Sequence, residues 1–220
     1  MPSTARRPAP GTAIATRLSS PGPDLPAILD SVLRRPEGIA ELFEGLASGR
    51  AGVKYGSAKV LRLVSERSPE LLYPHFDLFL RLFEGDNTFL RWGSTRILGN
   101  LACVDRDGKF EQVFDRYFAP VAEHEMIGAA NVIAAAARIA VAQPHLADRI
   151  AREILKVERS DYKTPECRQV AIGHAIRSLE CFFPLLGDRR AVFEFVARQL
   201  DSPRLATRRK AERFRKRWAG

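Results

Sequence analysis

Residues 90–98 of the chain, LRWGSTRIL, repeat residues 53–61, VKYGSAKVL, at an offset of 37 residues and without a gap. Both segments carry, in order, an apolar residue, a basic residue, an aromatic residue, Gly, Ser, a small residue, a basic residue and two apolar residues. Agreement over nine consecutive positions exceeds what chance would give. The two segments therefore predict an internal structural repeat.

Weaker copies of the pattern continue along the chain. They begin at Ile127, Arg168 and Arg208, which correspond to Lys54 and Arg91 in the two clear copies. These five anchor positions are spaced 37, 36, 41 and 40 residues apart. A spacing of this size is typical of repeats that contain two helices each.

The apolar pattern is helical almost without interruption after residue 24. Apolar residues recur every three or four positions, as in residues 71–83, 110–121 and 146–157. No run shows the sustained alternation of a strand. Helix-start signals accompany the pattern, and they are Ser68-Pro69, Asn87-Thr88, Thr164-Pro165 and Ser202-Pro203. The sequence therefore predicts an all-α protein.

The repeated segments resemble HEAT repeats. In that family the second helix of each pair often begins with an apolar residue and Arg, followed by small residues and a Leu/Ile run, as in residues 90–99. The first helix typically opens with Pro and an apolar stripe, as residues 69–83 and 144–157 do. The resemblance covers residues 25–218 as five units. It implies a right-handed α-solenoid of about five antiparallel helix pairs.

Stacking explains why the repeat carries small residues. One helix pair cannot bury its apolar face alone, so neighbouring pairs share a continuous core. Small residues let the helices approach closely, and we expect this role at four sites: Gly56-Ser57, Gly93-Ser94, Ala129-Ala130 and Ala171.

The composition of the 220 residues is that of a globular protein, with 45% hydrophobic and 28% charged residues. No apolar run approaches the roughly 20 residues that cross a bilayer, so no membrane span is expected. The Pro-punctuated segment 1–23 is predicted to be a disordered tail, and it shows no secretory signal. The three cysteines, at positions 103, 167 and 181, are widely spaced and fit a reducing cytoplasm. We therefore expect a cytoplasmic protein with a repeat domain over residues 24–220.

The net charge of +9 is concentrated near one end of the sequence. Residues 25–203 carry 24 basic and 24 acidic residues, whereas residues 204–217 carry eight basic residues and one acidic residue. We predict a basic C-terminal capping helix over residues 204–218, which docks through Leu205, Ala211, Phe214 and Trp218. Its basic patch would be a solvated cap or a site for nucleic acid, anionic lipid or an acidic partner. The patch consists of Arg204, Arg208, Arg209, Lys210, Arg213, Arg215, Lys216 and Arg217.

A second candidate site follows from the repeat. Tyr55 and Lys59 share a helix face, as do Trp92 and Arg96 one repeat later. Aromatic residues and Arg are favoured at interfaces, so these residues, with Arg91, are a candidate concave binding ladder. The alternative is that each cation only lies beside an aromatic side chain packed into the next repeat.

The HEAT resemblance also implies Asp–Arg pairs between a turn and the helix that follows it. The candidate pairs are Asp86–Arg91, Asp161–Arg168 and Asp201–Arg208. We expect these pairs to tie neighbouring repeats together, and the alternative is that they face a ligand.

Catalytic chemistry has little support in the sequence. The four histidines lie in different segments, and His174 is expected to be a hydrogen-bonded core residue. No phosphate-binding Gly loop, nucleophile elbow or HExxH motif occurs. We therefore expect no cofactor and no metal.

The leading hypothesis is a non-enzymatic HEAT-repeat scaffold that binds another protein through its concave face. The alternative is a nucleic-acid-binding protein. A third hypothesis is an enzyme, because some bacterial DNA glycosylases for alkylated bases are HEAT-like solenoids. Such an enzyme would need an acidic residue beside aromatic residues, and no such trio can be aligned here. The sequence leaves the oligomeric state open.

Overall fold

The computed structural model describes residues 12–218, and over these residues the protein is entirely helical, with thirteen α-helices and no strand. The all-α prediction is therefore confirmed for this part of the chain. The chain divides into two compact units, residues 1–97 and residues 98–220, which we call unit 1 and unit 2.

In unit 1, three short helices precede the first long helix, and a short and a long helix follow it. Two short 3-10 helices, Pro69–Leu71 and Tyr73–His75, precede α5. The α-helices that begin in this unit are α1 (Thr12–Ser19), α2 (Leu25–Arg34), α3 (Gly38–Leu46), α4 (Ala51–Arg67), α5 (Phe76–Glu84) and α6 (Thr88–Leu101). The last turn of α6 belongs to unit 2.

In unit 2, one or two short helices precede each long helix. Its α-helices are α7 (Lys109–Gln112), α8 (Phe114–Phe118), α9 (Met126–Ala142), α10 (Ala147–Leu155), α11 (Pro165–Phe182), α12 (Arg190–Arg198) and α13 (Leu205–Trp218). Short 3-10 helices lie between them, at Ala102–Val104, Ala119–Val121, Pro144–Leu146, Lys156–Glu158, Phe183–Leu185 and Gln199–Asp201.

The five long helices recur at the spacing of the sequence repeat. Helices α4, α6, α9, α11 and α13 begin at residues 51, 88, 126, 165 and 205, which are 37 to 40 residues apart. Each contains one of the predicted anchor positions within its first four residues. The repeat is thus present as a regular series of long helices.

The helix-start signals have mixed outcomes. The Thr164 hydroxyl accepts a hydrogen bond from the Cys167 amide at 3.1 Å, as an N-cap should. Asn87 caps α6 in the same way, with Leu90 N donating to its Oδ1 at 3.1 Å. Ser68 makes no capping bond.

The predicted disordered tail is wrong over residues 12–19, which form α1. Ile14 and Leu18 lie four positions apart on one face of this helix, and both are buried. Gly56 makes room for Leu18, because a Cβ at position 56 would lie 2.8 Å from Leu18 Cδ2. The Ile14 amide also donates to Glu41 Oε2 at 3.2 Å. Residues 1–11 of the predicted tail lie outside the described part of the chain.

The short helices are less continuous than their apolar periodicity predicts. The expected helix over residues 69–83 is broken into two 3-10 helices and α5, and the one over residues 110–121 is broken at Val113. Pro74 lies inside the first segment and cannot donate to a helical ladder, which is one reason for its interruption; the break at Val113 has no such residue beside it.

Long helices pack on long helices in unit 2: α9 lies against α11, and α11 lies against α13. Three hydrogen bonds fix the direction of the second pair. Arg204 Nε donates to Glu166 Oε1, Thr207 Oγ1 donates to Gln169 O, and Lys210 Nζ donates to Gly173 O, at 2.8, 2.8 and 2.9 Å. From one hydrogen bond to the next, the residue number increases on α11 and on α13 alike. The two helices therefore run parallel, with a register of 37–38 residues.

The small residues do not all serve close packing. Ala129 and Ala171 are fully buried, as expected. In contrast, no atom lies within 4 Å of the position that a Cβ at Gly93 would occupy. The predicted close-approach role is therefore wrong for Gly93. The glycine of α6 that does make room for a neighbour is Gly99, whose Cβ would lie 2.8 Å from Ala135 Cβ.

Candidate functional site

Three aromatic rings form a chain of contacts on the surface of unit 1. The Tyr55 and Phe89 ring centroids are 5.4 Å apart, and those of Phe89 and Trp92 are 5.7 Å apart, with the latter two rings edge to face. Phe89 is 65% exposed although it lies between the other two rings. Tyr55 and Trp92 are half-buried. The three rings thus present an apolar surface that the rest of unit 1 leaves open.

Asn87 positions this cluster from the start of α6. Its Nδ2 donates to the Tyr55 hydroxyl at 3.3 Å, while its Oδ1 caps the helix through the Leu90 amide. One side chain therefore fixes both the beginning of α6 and the phenol of α4. Phe89 and Trp92 lie within the first five residues of α6, so this cap fixes the end of the helix that carries both rings.

Two exposed cations flank the rings. Lys59 lies one turn after Tyr55 on α4, and Arg96 lies one turn after Trp92 on α6. Within residues 12–218, neither side chain has a carboxylate within ion-pair distance. We call the surface formed by Tyr55, Lys59, Phe89, Trp92 and Arg96 the aromatic–cation face. The predicted ladder thus contributes four of the five residues of this face.

Arg91 and Phe89 are the two differences from the predicted ladder. Arg91 is half-buried and forms no ion pair with Asp86. Phe89 was not predicted, because the equivalent position one repeat earlier is Gly52. A comparison of the two repeats therefore does not identify position 89 as aromatic. The available signal was its spacing, three residues before Trp92, which places both rings on one side of α6.

The basic helix α13 docks through three of its four predicted residues and one that was not predicted. Ala211 and Phe214 are fully buried, as expected, and Thr207 joins them. Leu205 is 51% exposed, so its predicted docking role is wrong. Trp218 is half-buried, with its ring centroid 5.2 Å from that of Phe183. The Thr207 hydroxyl is accommodated because it donates to the carbonyl of Gln169.

Three of the eight cations of the predicted basic patch have acidic partners. Arg204 pairs with Glu166 at 2.8 Å, whereas Arg213 and Arg217 share Glu180, with N–O distances of 3.5 and 3.7 Å. Glu180 is only 10% exposed, so one nearly buried carboxylate serves two guanidinium groups.

The other five cations have no acidic partner among the described residues. Lys210 donates to a main-chain carbonyl of α11, that of Gly173. Arg208 buries its Nε without a hydrogen-bond partner. Arg209, Arg215 and Lys216 are exposed. The patch is therefore divided, with part of it facing α11 and the rest facing solvent.

Burial, together with neighbouring positive charge, lowers two pKa values on the α11 side. Burial lowers the pKa of His174, and the nearby Lys210, Arg177 and Arg204 lower it further. The pKa of Lys210 is lowered by burial first and then by Arg204, Arg177 and Arg213. Both shifts indicate a local excess of cations. His174 is half-buried and makes no hydrogen bond with a described residue, so it is not the hydrogen-bonded core histidine that was predicted.

Two of the three predicted Asp–Arg pairs are not formed. Asp86 does not meet Arg91, and Asp201 does not meet Arg208. Arg168 Nη2 lies 3.9 Å from Asp161, but that carboxylate is 97% exposed and the contact is long. The stronger bond of Arg168 goes from its Nε to the Ser160 carbonyl at 3.0 Å.

Other polar contacts in unit 2 join segments that lie 39 or 40 positions apart in the sequence. Arg198 donates to Glu158 through two nitrogens, at 2.8 and 2.7 Å. Asp148 accepts from the amides of Gly187 and Asp188 at 3.1 and 3.3 Å. The sequence pattern did not single these residues out, because their partners lie 39 or 40 positions away among many other charged residues.

The chemistry-bearing residues elsewhere are dispersed. Among the described residues, no three His, Cys, Asp or Glu side chains are grouped as metal ligands would be. His124 Nδ1 donates to the Asp161 carbonyl at 2.6 Å. Burial raises the pKa of the Cys103 thiol, whereas Cys181 is exposed. None of the described helices combines the length and apolar character needed to span a bilayer.

Comparisons with models of known protein families, with curated proteins and with solved structures find no match to this chain.

Proposed function

We propose that this protein is a HEAT-like, right-handed α-solenoid of about five antiparallel helix pairs that acts as a non-enzymatic scaffold for another protein. Two observations support the architecture. The long helices begin every 37 to 40 residues, and α11 and α13 run parallel at a register of 37–38 residues. Both are expected when repeats of one helix pair stack on their neighbours.

The aromatic–cation face is the proposed binding surface, and the exposure of Phe89 is the observation that carries the proposal. A phenylalanine that is 65% exposed between two other rings leaves apolar area in contact with water. Aromatic side chains are common binding hot spots. Lys59 and Arg96 add two cations without acidic partners, so charge complementarity points to an acidic protein segment that also carries apolar side chains.

A peptide-display selection tests this proposal with a defined probe. Random 12-residue peptides selected on the purified protein are expected to be enriched in Asp, Glu and large apolar residues. Phe89→Ala should weaken binding of the selected peptides by roughly 30-fold or more, which corresponds to about 2 kcal/mol for an interface hot spot. Lys59→Glu and Arg96→Glu should each weaken binding of acidic peptides.

The matched control is Val141→Ala, which trims an exposed apolar side chain on α9 of unit 2. Its affinity for the selected peptides should equal that of the unchanged protein. The proposal is wrong if the selected peptides carry no acidic bias, or if Phe89→Ala and Val141→Ala bind them equally well.

Nucleic-acid binding is the second candidate function. The observation that favours it is the solvent side of α13, where Arg209, Arg215 and Lys216 are exposed without an acidic partner among the described residues. Affinity for a nucleic acid should then fall steeply with salt. Charge reversal of these three residues should weaken binding of an oligonucleotide and leave the helix docked, since Ala211 and Phe214 hold its buried side.

The enzymatic alternative is tested directly. Duplex DNA that contains an alkylated base is incubated with the protein, and release of the base is measured. Excision above the background rate, lost on Phe89→Ala but retained by Val141→Ala, would overturn the non-enzymatic proposal.

A further inference from the structure

The surface shared by α11 and α13 collects more positive charge than its own residues neutralise. We call the residues His174, Arg177, Lys210, Arg213 and Arg217 the α11–α13 cationic surface. Four of them are Lys or Arg side chains, and Glu180 is the one carboxylate that pairs with any of them among the described residues. Two members, His174 and Arg177, come from α11 and were not part of the predicted basic patch.

The packing of the two helices brings these residues together. Lys210 Nζ reaches the carbonyl of Gly173, the residue before His174, at 2.9 Å. One and two turns further along α11 come Arg177 and Glu180, and Glu180 meets Arg213 and Arg217. Because the helices are parallel, the α11 residues and the α13 cations follow the same direction side by side.

The three α13 cations form a row. Lys210, Arg213 and Arg217 are spaced three and four residues apart, so they lie on one flank of α13. Seven residues of helix cover about 10 Å at 1.5 Å per residue. A row of this length suits a chain of regularly spaced anions better than a single anion.

The charge excess costs the unliganded protein free energy. Lys210 and His174 each lose protons more readily than usual because burial is reinforced by neighbouring cations. A bound polyanion would remove this repulsion. In addition, none of the five members is a large apolar side chain of the kind that anchors protein interfaces, whereas affinity for nucleic acids comes mainly from phosphate contacts.

We propose that the α11–α13 cationic surface binds consecutive phosphates of a nucleic-acid backbone, with Arg177 and Lys210 as its principal contacts and His174 beside them. The proposal rests on the second candidate function and gives it a location, because it places the phosphates against α11 rather than on the outer side of α13.

Fluorescence anisotropy with a labelled 16-nucleotide oligothymidylate, and with a 16-base-pair duplex, tests the proposal between 25 and 200 mM KCl. Arg177→Gln and Lys210→Gln should each weaken binding roughly 3- to 10-fold. Each should also lower the slope of log K against log salt by about 0.7 on the single strand and about 0.9 on the duplex, the value for one lost phosphate contact. Arg190→Gln is the matched control, because it removes one positive charge from an exposed α12 residue paired with Glu194.

Two measurements separate binding from folding. Arg177→Gln relieves repulsion and removes no hydrogen bond or ion pair to a described residue, so its melting temperature should not fall while its affinity does. In the unchanged protein, the pKa of His174, followed by NMR of the imidazole protons, should rise when oligothymidylate binds, because a phosphate favours the imidazolium form. The imidazole resonance of His174 is assigned as the one that is missing from the spectrum of His174→Gln.

Three results would overturn the proposal. If neither oligonucleotide binds at 25 mM KCl, both this site and the second candidate function are wrong. If binding survives Arg177→Gln and Lys210→Gln with an unchanged salt slope but is lost on charge reversal of Arg209, Arg215 and Lys216, nucleic-acid binding stands and this site is wrong. If a polyglutamate peptide binds as tightly, with the same dependence on Arg177 and Lys210, the surface recognises an acidic protein instead.

Discussion

Two glycines of α6 should respond in opposite ways to the same substitution. Replacing glycine by alanine in a helix interior stabilises it by about 0.8–1.0 kcal/mol through helix propensity. At Gly93 the added methyl group meets no atom within 4 Å, so Gly93→Ala should gain about this amount. At Gly99 the methyl carbon would lie 2.8 Å from Ala135 Cβ and 3.0 Å from the Tyr117 hydroxyl oxygen. Overpacking of this kind costs about 1–3 kcal/mol.

The difference between the two variants isolates the packing cost, because the propensity gain is common to both. Gly99→Ala should therefore be less stable than Gly93→Ala by about 1–3 kcal/mol, measured by urea unfolding followed by circular dichroism. In a chain of this size 1 kcal/mol corresponds to roughly 2–4 °C in melting temperature. Equal stabilisation by both substitutions would show that the end of α6 does not approach α9 closely, and would refute the packing described for unit 2.

Three further predictions follow from single side chains. Tyr162→Phe removes a hydroxyl that donates to the buried Val121 carbonyl at 2.5 Å, and should lower the free energy of unfolding in urea by about 0.5–1.5 kcal/mol. Iodoacetamide at pH 8 should modify the exposed Cys181 before Cys103, because burial raises the pKa of the Cys103 thiol. Mass spectrometry of timed samples measures the order of modification, and earlier reaction of Cys103 would contradict the prediction. The pKa of His174 in the folded state is lowered from the ordinary value of 6.5, so the unfolded state binds more protons near this pH. The free energy of unfolding should therefore decrease as the pH falls through about 6.5. The loss of stability between pH 7.5 and 5.5 should thus be smaller in His174→Gln, and an unchanged loss would contradict this assignment.

The repeat spacing was predictable because it depends on local patterns. An apolar period identifies a helix, and recurrence of the same segment 37 residues later identifies its equivalent. Both signals are present in one sequence without an alignment, so the five long helices were found at their correct positions. Helix α1 was missed because only Ile14 and Leu18 mark its buried face, in a segment dominated by proline.

The contacts between helices were not predictable to the same degree. The chain has 35 basic and 26 acidic residues, and the pattern does not specify which of them meet. Glu180 is an example, since its burial beneath Arg213 and Arg217 depends on how α13 lies on α11. The exposure of Phe89 likewise depends on what covers the first turn of α6, which is a property of the packed structure.

The separation along the chain between bonded residues has a consequence for how the protein folds. The long-range hydrogen bonds described above join residues 27 to 41 positions apart, in both units. Closing a loop of 40 residues rather than 200 saves about 1.4 kcal/mol of chain entropy per contact. Within each unit, a segment can therefore dock on the one that lies about 40 residues before it at nearly the same entropic cost. We expect structure inside each unit to form progressively during synthesis, because these contacts do not require distant segments.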